Sequence, residues 1–100
     1  MQHLIIVKYS EEVTDRAAFA EEVRRLFDGL RAIEGIHDVA LIQGKPLRSN
    51  RFDLIIKISM DESSLETYDQ SDIHLRWKLD YAKYVQSKAI FDCEDEDWKL

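Results

Sequence analysis

Residues 2–9 of this 100-residue chain follow a strand pattern that is apolar on both sides, and this pattern constrains the fold most. Ile5 and Val7 alternate with Leu4 and Ile6, so both faces of such a strand carry large aliphatic side chains. A strand of this kind belongs in the middle of a sheet, because both of its faces have to be covered. We therefore expect the rest of the chain to be arranged around it.

The remaining segments are separated by changes in the period of the apolar residues. Thr14 is expected to cap the first helix, and Gly35 is expected to adopt the left-handed conformation that stops it. The predicted elements are, in order, a strand at 2–9, a helix at 15–33, strands at 36–43 and 51–60, a helical region of two pieces at 61–83, and a strand at 84–92. This order predicts an α+β, ferredoxin-like β-α-β-β-α-β domain, with one four-stranded antiparallel sheet and two helices on one face.

If the second face of this sheet met water, its side chains should be polar. The sequence instead assigns aliphatic side chains to it, namely Leu4, Ile6, Val39, Leu41, Ile55 and Ile90. This is more contiguous apolar surface than a monomer normally leaves open. Two sheets packed face to face would bury it, so we predict a homodimer.

Charge and composition limit the partners and the location. The chain has 14 Lys and Arg against 20 Asp and Glu, and the absence of a basic cluster argues against nucleic acid and anionic membranes. No apolar run approaches the ~20 residues that span a bilayer. The single cysteine, Cys93, and the lack of a basic leader favour a reduced, cytoplasmic setting. We expect one domain at 1–93 and an acidic C-terminal tail at 94–100, in which Trp98 could dock.

Four stretches, taken together, resemble the stress-responsive A/B barrel (Dabb) family. Residues 3–9 are similar to its H-x-V-x-F-K start, and residues 33–36 to its I-P-G-I motif. Residues 52–56 resemble its aromatic-D-H-apolar strand, and residues 65–68 with His74 resemble L-x-x-Y followed by H-P-x-H. The resemblance implies a dimeric α+β barrel built from two ferredoxin-like units.

The same resemblance implies a site between the helices and the sheet. By position, His3, Tyr68 and His74 match three site residues of a polyketide cyclase in the family, and Leu54 stands where that enzyme has a strand histidine. Trp77, three residues after His74, is similar to the arrangement in haem-degrading monooxygenases of the related α+β barrel group. The implied ligand-binding residues are therefore His3, Leu54, Tyr68, His74 and Trp77, and the catalytic candidates are His3, Tyr68 and His74.

We therefore expect a small homodimer that binds a small, partly apolar molecule between helices and sheet. One alternative is an acid–base enzyme, cyclase-like or monooxygenase-like, acting on a polyketide-like or phenolic substrate. The other is a non-catalytic assembly module. An open cavity reaching both histidines would favour a ligand, and filled packing would favour the module. The spacing of potential ligands predicts no metal site, and we expect no cofactor.

Overall fold

In the computed structural model of the protein, which describes residues 1–94, the elements follow the predicted order. The strands are β1 (Gln2–Tyr9), β2 (Ile36–Gln43), β3 (Leu54–Met60) and β4 (Val85–Cys93). The α-helices are α1 (Arg16–Asp28), α2 (Leu65–Asp69) and α3 (Asp72–Asp80). The strands form one antiparallel sheet in the order β2-β3-β1-β4. The predicted ferredoxin-like fold is confirmed, with α2 and α3 together in the place of the second helix.

The central position of β1 follows from its two apolar faces. The helices cover one face, where Ile5 and Val7 are fully buried, while Leu4 and Ile6 on the other face are half-buried. The helix-covered face and the helices form one core, which contains Ile5, Val7, Tyr9, Phe19, Ala20, Val23, Leu26, Phe27, Leu30, Ile36, Val39, Leu54, Ile56, Ile58, Met60, Tyr68, Trp77 and Tyr81. The core therefore occupies one side of the sheet only.

The ends of α1 differ from the prediction. Asp15 caps the helix rather than Thr14, and its carboxylate accepts a hydrogen bond of 3.0 Å from the backbone N–H of Ala18. The α-helix ends early and continues as a 3₁₀ turn over Gly29–Ala32. Gly35 has the expected positive φ of 87°, but it leads into β2 and does not cap α1 directly.

Two β-bulges change which residues face away from the helices. His37 is an extra residue between the pairs that β2 makes with β3, and Gln86 is an extra residue between the pairs that β4 makes with β1. One extra residue inverts the alternation beyond it, so Val39, Leu41 and Ile90 face the helix side, contrary to the prediction. The open face, as we call the face without helices, carries these apolar residues: Leu4, Ile6, Ala40, Ile42, Ile55, Ala89 and Phe91.

The C-terminal strand β4 is an edge strand that ends at Cys93, a half-buried free cysteine on the open face. Trp98 and its proposed docking lie outside the described residues, as does most of the predicted acidic tail. Within residues 1–94, no helix is long and apolar enough to cross a membrane.

Candidate functional site

Three of the candidate residues come together at the start of β1. The ring of Tyr68, on α2, contacts the rings of His3 on β1 and His74 on α3. Its centroid is 5.2 Å from that of His3 and 4.8 Å from that of His74, so the two imidazoles are at most about 10 Å apart, the sum of these distances. One small molecule could therefore contact both imidazoles.

A fourth residue, Asp92 of β4, completes this group. Its Oδ1 atom lies 2.5 Å from Nδ1 of His3, its direct cross-strand neighbour. His3 is only 6% exposed, whereas the carboxylate of Asp92 is 41% exposed, so the pair runs from the core to the surface. Sequence reasoning missed Asp92 because the register of β4 depends on the bulge at Gln86. We call His3, Tyr68, His74 and Asp92 the histidine cluster.

His74 is held in place by the first turn of α3. The hydroxyl of Ser71 caps this helix by accepting a hydrogen bond from the backbone N–H of His74. The Nδ1 atom of His74 lies 2.9 Å from the carbonyl oxygen of Asp69. Because a carbonyl only accepts, Nδ1 carries the proton, and Nε2 is left as the acceptor of the neutral ring.

The carboxylate of Asp92 fixes the tautomer of His3 in the same way. A carboxylate accepts the proton of Nδ1, so Nε2 of His3 is the atom that can accept from a ligand. Both imidazoles therefore use Nδ1 for the protein, and Nε2 of each has no partner among the described residues. The cluster thus presents two acceptors, one on each of the two rings that Tyr68 contacts.

The hydroxyl of Tyr68 is buried and has no hydrogen-bond partner within residues 1–94. Burial, with a smaller contribution from the nearby charge of Asp69, raises the pKa of Tyr68 well above its usual value. The group therefore stays a protonated donor at neutral pH. A buried hydroxyl without a partner costs about 1–3 kcal/mol, which makes this atom the least satisfied part of the cluster.

Leu54 lies apart from the histidine cluster along the strands, and the ring of Trp77 packs on another core ring. Leu54 pairs with Val7, whereas Ile58 pairs with His3, so four residues, or about 13 Å of strand, separate Leu54 from the cluster. Trp77 is nearly fully buried, and its ring packs against Phe27 at a centroid distance of 5.4 Å. The structure therefore does not bring Leu54 to the cluster, whereas Trp77 follows His74 by three residues on α3.

The Tyr68 ring contacts both histidine rings and is fully buried. Trp77 instead lines a separate cleft of about 250 Å³, together with Lys78 of α3 and Lys88 of β4. Neither this cleft nor four others in the described part of the chain are lined by His3, Tyr68 or His74. The cluster therefore meets solvent through Asp92 and the half-buried His74. Within residues 1–94, no three His, Cys, Asp or Glu side chains converge as metal ligands would.

Comparisons with known proteins identify the fold. No protein-family model matches the sequence, and no curated protein matches it either. Among solved structures, a dimeric ferredoxin-like protein of unknown function from Bacteroides fragilis is similar at a TM-score of 0.75 and 13% identity, over 93% of each chain. A dabb family protein from Mesorhizobium loti has a TM-score of 0.67 and 13% identity over 90% of each chain. A candidate antibiotic biosynthesis monooxygenase from Bacteroides thetaiotaomicron has a TM-score of 0.67 and 17% identity, over 100% of this chain and 94% of its own.

These similarities define the class of protein at the level of fold. The chain is an α+β protein with the ferredoxin-like fold that the dabb family protein also has. The neighbours therefore agree with the resemblance to the stress-responsive A/B barrel family that the sequence motifs indicate. Fold alone does not assign an activity.

The unpartnered hydroxyl of Tyr68 predicts an unusual stability effect. Replacing Tyr68 with Phe removes a buried donor that has no acceptor, so we expect the free energy of unfolding to stay constant or rise by up to about 1 kcal/mol. Urea denaturation of both proteins measures this difference. Tyr81→Phe is the matched control, because the Tyr81 hydroxyl donates to Glu22 at 3.3 Å, and its loss should cost about 0.5–1.5 kcal/mol. An equal loss in Tyr68→Phe would mean that its hydroxyl is already satisfied.

Proposed function

We propose that the protein is a homodimer of the stress-responsive A/B barrel type, whose histidine cluster binds a small, partly apolar molecule with a hydroxyl or carbonyl group. Residues 1–93 form the domain in this proposal, and the single cysteine favours a cytoplasmic location. The observation that carries the binding role is the buried hydroxyl of Tyr68, which has no hydrogen-bond partner within residues 1–94 and whose ring contacts the rings of His3 and His74.

The open face supports the dimer. Ile6 pairs directly with Ile55 across β1 and β3, and both side chains are half-buried in the isolated chain. At the two edges of the sheet, Ile42 is 54% exposed and Phe91 is 57% exposed. Two such sheets packed about 10 Å apart would remove this apolar surface from water. The similar protein from Bacteroides fragilis is dimeric, which supports a dimer of this chain.

The hydrogen-bonding capacity of the histidine cluster supports a ligand with one polar group. Tyr68 offers a donor, which a carbonyl or hydroxyl oxygen of the ligand would accept. The Nε2 atoms of His3 and His74 offer acceptors, to which a ligand hydroxyl would donate. Because Tyr68 is fully buried in the core, the part of the ligand beside it would have to be apolar. A phenol has both properties.

The pairing of Asp92 with His3 favours the acid–base enzyme as a second candidate. The contact with Asp92 occupies Nδ1 and orients the ring, so Nε2 of His3 could take a proton from a phenolic or enolic hydroxyl and return it. This is the proton transfer that a cyclase-like reaction on a polyketide-like substrate requires. The filled space around Tyr68 instead favours the assembly module, in which the cluster is structural.

The dimer is tested by placing a charge on the open face. We expect Ile55→Asp to convert the protein from a dimer of about twice 11.8 kDa to a monomer, because two buried carboxylates would lack partners. Multi-angle light scattering after size-exclusion chromatography measures the mass. Leu79→Asp is the matched control, since Leu79 is exposed on α3 away from the sheet, and that variant should stay dimeric. A wild-type monomer, or a dimeric Ile55→Asp variant, would contradict the proposed interface.

Binding at the histidine cluster is tested with 4-nitrophenol, a phenol whose absorption changes when its hydroxyl transfers a proton. We expect the wild-type protein to bind it and Tyr68→Phe to bind it about threefold to tenfold more weakly, as expected for one lost hydrogen bond. His37→Gln, at an exposed histidine paired with Asp61, is the control and should bind as the wild type does.

The absorption spectrum of the complex separates the candidate functions. A shift to the phenolate spectrum that is lost in His3→Gln supports proton transfer and therefore the enzyme. Binding without that shift supports a binding protein. No binding by a folded, dimeric wild type would favour the assembly module and contradict the proposed ligand site.

A further inference from the structure

A second polar region lies at the opposite end of β1 from the histidine cluster. A cleft of about 770 Å³ opens where the end of β1, the start of α1 and the loop between β2 and β3 meet. Tyr9, in the wall of this cleft, follows His3 by six residues along β1. This step corresponds to about 20 Å. The volume is in the range of small-molecule sites. We call it the basic cleft, and its charged lining residues are Lys8, Glu11, Arg16, Arg48, Arg51 and Asp53.

The charge of the basic cleft is opposite to that of the whole chain. The chain has a net charge of −6, but the cleft has four cations against two carboxylates. One carboxylate, Asp53, is already used by the protein. Its oxygens accept from the guanidinium of Arg16 at 2.8 Å and from the backbone N–H of Tyr9 at 2.8 Å. Arg16 and Asp53 therefore neutralise each other inside the wall.

The other three cations have no carboxylate in hydrogen-bond contact within the described part of the chain. The ammonium of Lys8 donates to the backbone oxygens of Ser49 at 2.6 Å and Arg51 at 2.8 Å. The guanidinium of Arg51 donates to the side-chain oxygen of Asn50 at 2.8 Å. The side chain of Arg48 has no hydrogen-bond or ion-pair partner within residues 1–94. With Glu11 as the only other carboxylate in the lining, the cleft keeps an excess of two positive charges.

Tyr9 provides an independent indication of a ligand. The residue is 8% exposed, and its hydroxyl is buried without a described partner. Burial raises the pKa of Tyr9, which keeps the hydroxyl protonated as a donor. The guanidinium of Arg16 lies 5.0 Å above its ring and keeps the ring in the wall of the cleft. Tyr9 lines the same cleft as the three uncompensated cations, and a buried donor in such a wall is suited to an oxyanion.

We propose that the basic cleft binds a phosphate monoester that carries an apolar group. A phosphate monoester carries about −1.5 to −2 charges at pH 7, which matches the excess of two positive charges better than the single charge of a carboxylate does. Arg48 and Arg51 can each donate two parallel hydrogen bonds to phosphate, and Lys8 adds a point charge. Val13, Pro46 and Leu47, which also line the cleft, would contact the apolar group.

Phenyl phosphate is the probe for this proposal, and isothermal titration calorimetry measures its affinity. We expect Arg48→Gln to weaken binding about tenfold, the loss of a charge-assisted hydrogen bond. Arg24→Gln is the control of equal charge, because Arg24 is exposed on α1, pairs with Glu21 and does not line the cleft. It should change the affinity less than twofold. Tyr9→Phe should also weaken binding, while its near-ultraviolet circular dichroism stays that of a folded protein.

Two further ligands test the chemical class. Inorganic phosphate lacks the apolar group and benzoate lacks the second charge, so both should bind more weakly than phenyl phosphate. If benzoate bound as tightly as phenyl phosphate, the proposed preference for a dianion would be wrong. If inorganic phosphate bound as tightly as phenyl phosphate, the proposed contact with an apolar group would be wrong. If Arg48→Gln and Arg24→Gln lost the same affinity for phenyl phosphate, the attraction would be nonspecific, and the proposed site would be wrong. No binding of phenyl phosphate by the wild type would overturn it as well.

Discussion

The apolar character of both faces of β1 determines the rest of the structure. The helices bury Ile5 and Val7 on one face, but nothing in the described chain covers Leu4 and Ile6 on the other. The free energy of exposing them, at about 25 cal/mol per Å² of apolar surface, favours a second sheet over water. The same strand also carries His3 and Tyr9 at its two ends, so it positions both the histidine cluster and the basic cleft.

The order of the elements could be predicted from the sequence because the period of the apolar residues changes at each boundary. The orientation of the edge strands could not, because two single-residue bulges, at His37 and Gln86, invert it. A bulge adds one residue without changing the composition of the strand, so the alternating pattern does not reveal it. For this reason the alternating pattern assigns Val39, Leu41 and Ile90 to the wrong face of the sheet. It assigns the correct faces to β1 and β3, which have no bulge between them.

The grouping of His3, Tyr68 and His74 could be predicted from family motifs, since a shared order of elements brings the same positions together. The presence of Asp92 in this group could not be predicted, because its pairing with His3 depends on the register of β4 after a bulge. Leu54 faces the same side of the sheet as His3 but lies about 13 Å along the strands from it. Matching a position to a family therefore gives the face of an element more reliably than the distance along it.

The burial of the open face in solution is the central claim, and methyl NMR in the presence of a soluble gadolinium chelate measures it most directly. Ile90 is the internal reference, because it is 53% exposed on the helix side at the edge of the sheet. We expect weak paramagnetic relaxation of the methyl groups of Ile6 and Ile55, because the dimer would keep the chelate away from them. The methyl groups of Ile90 should relax strongly. Relaxation of Ile6 and Ile55 as strong as that of Ile90 would show that the open face meets water, and would contradict the account.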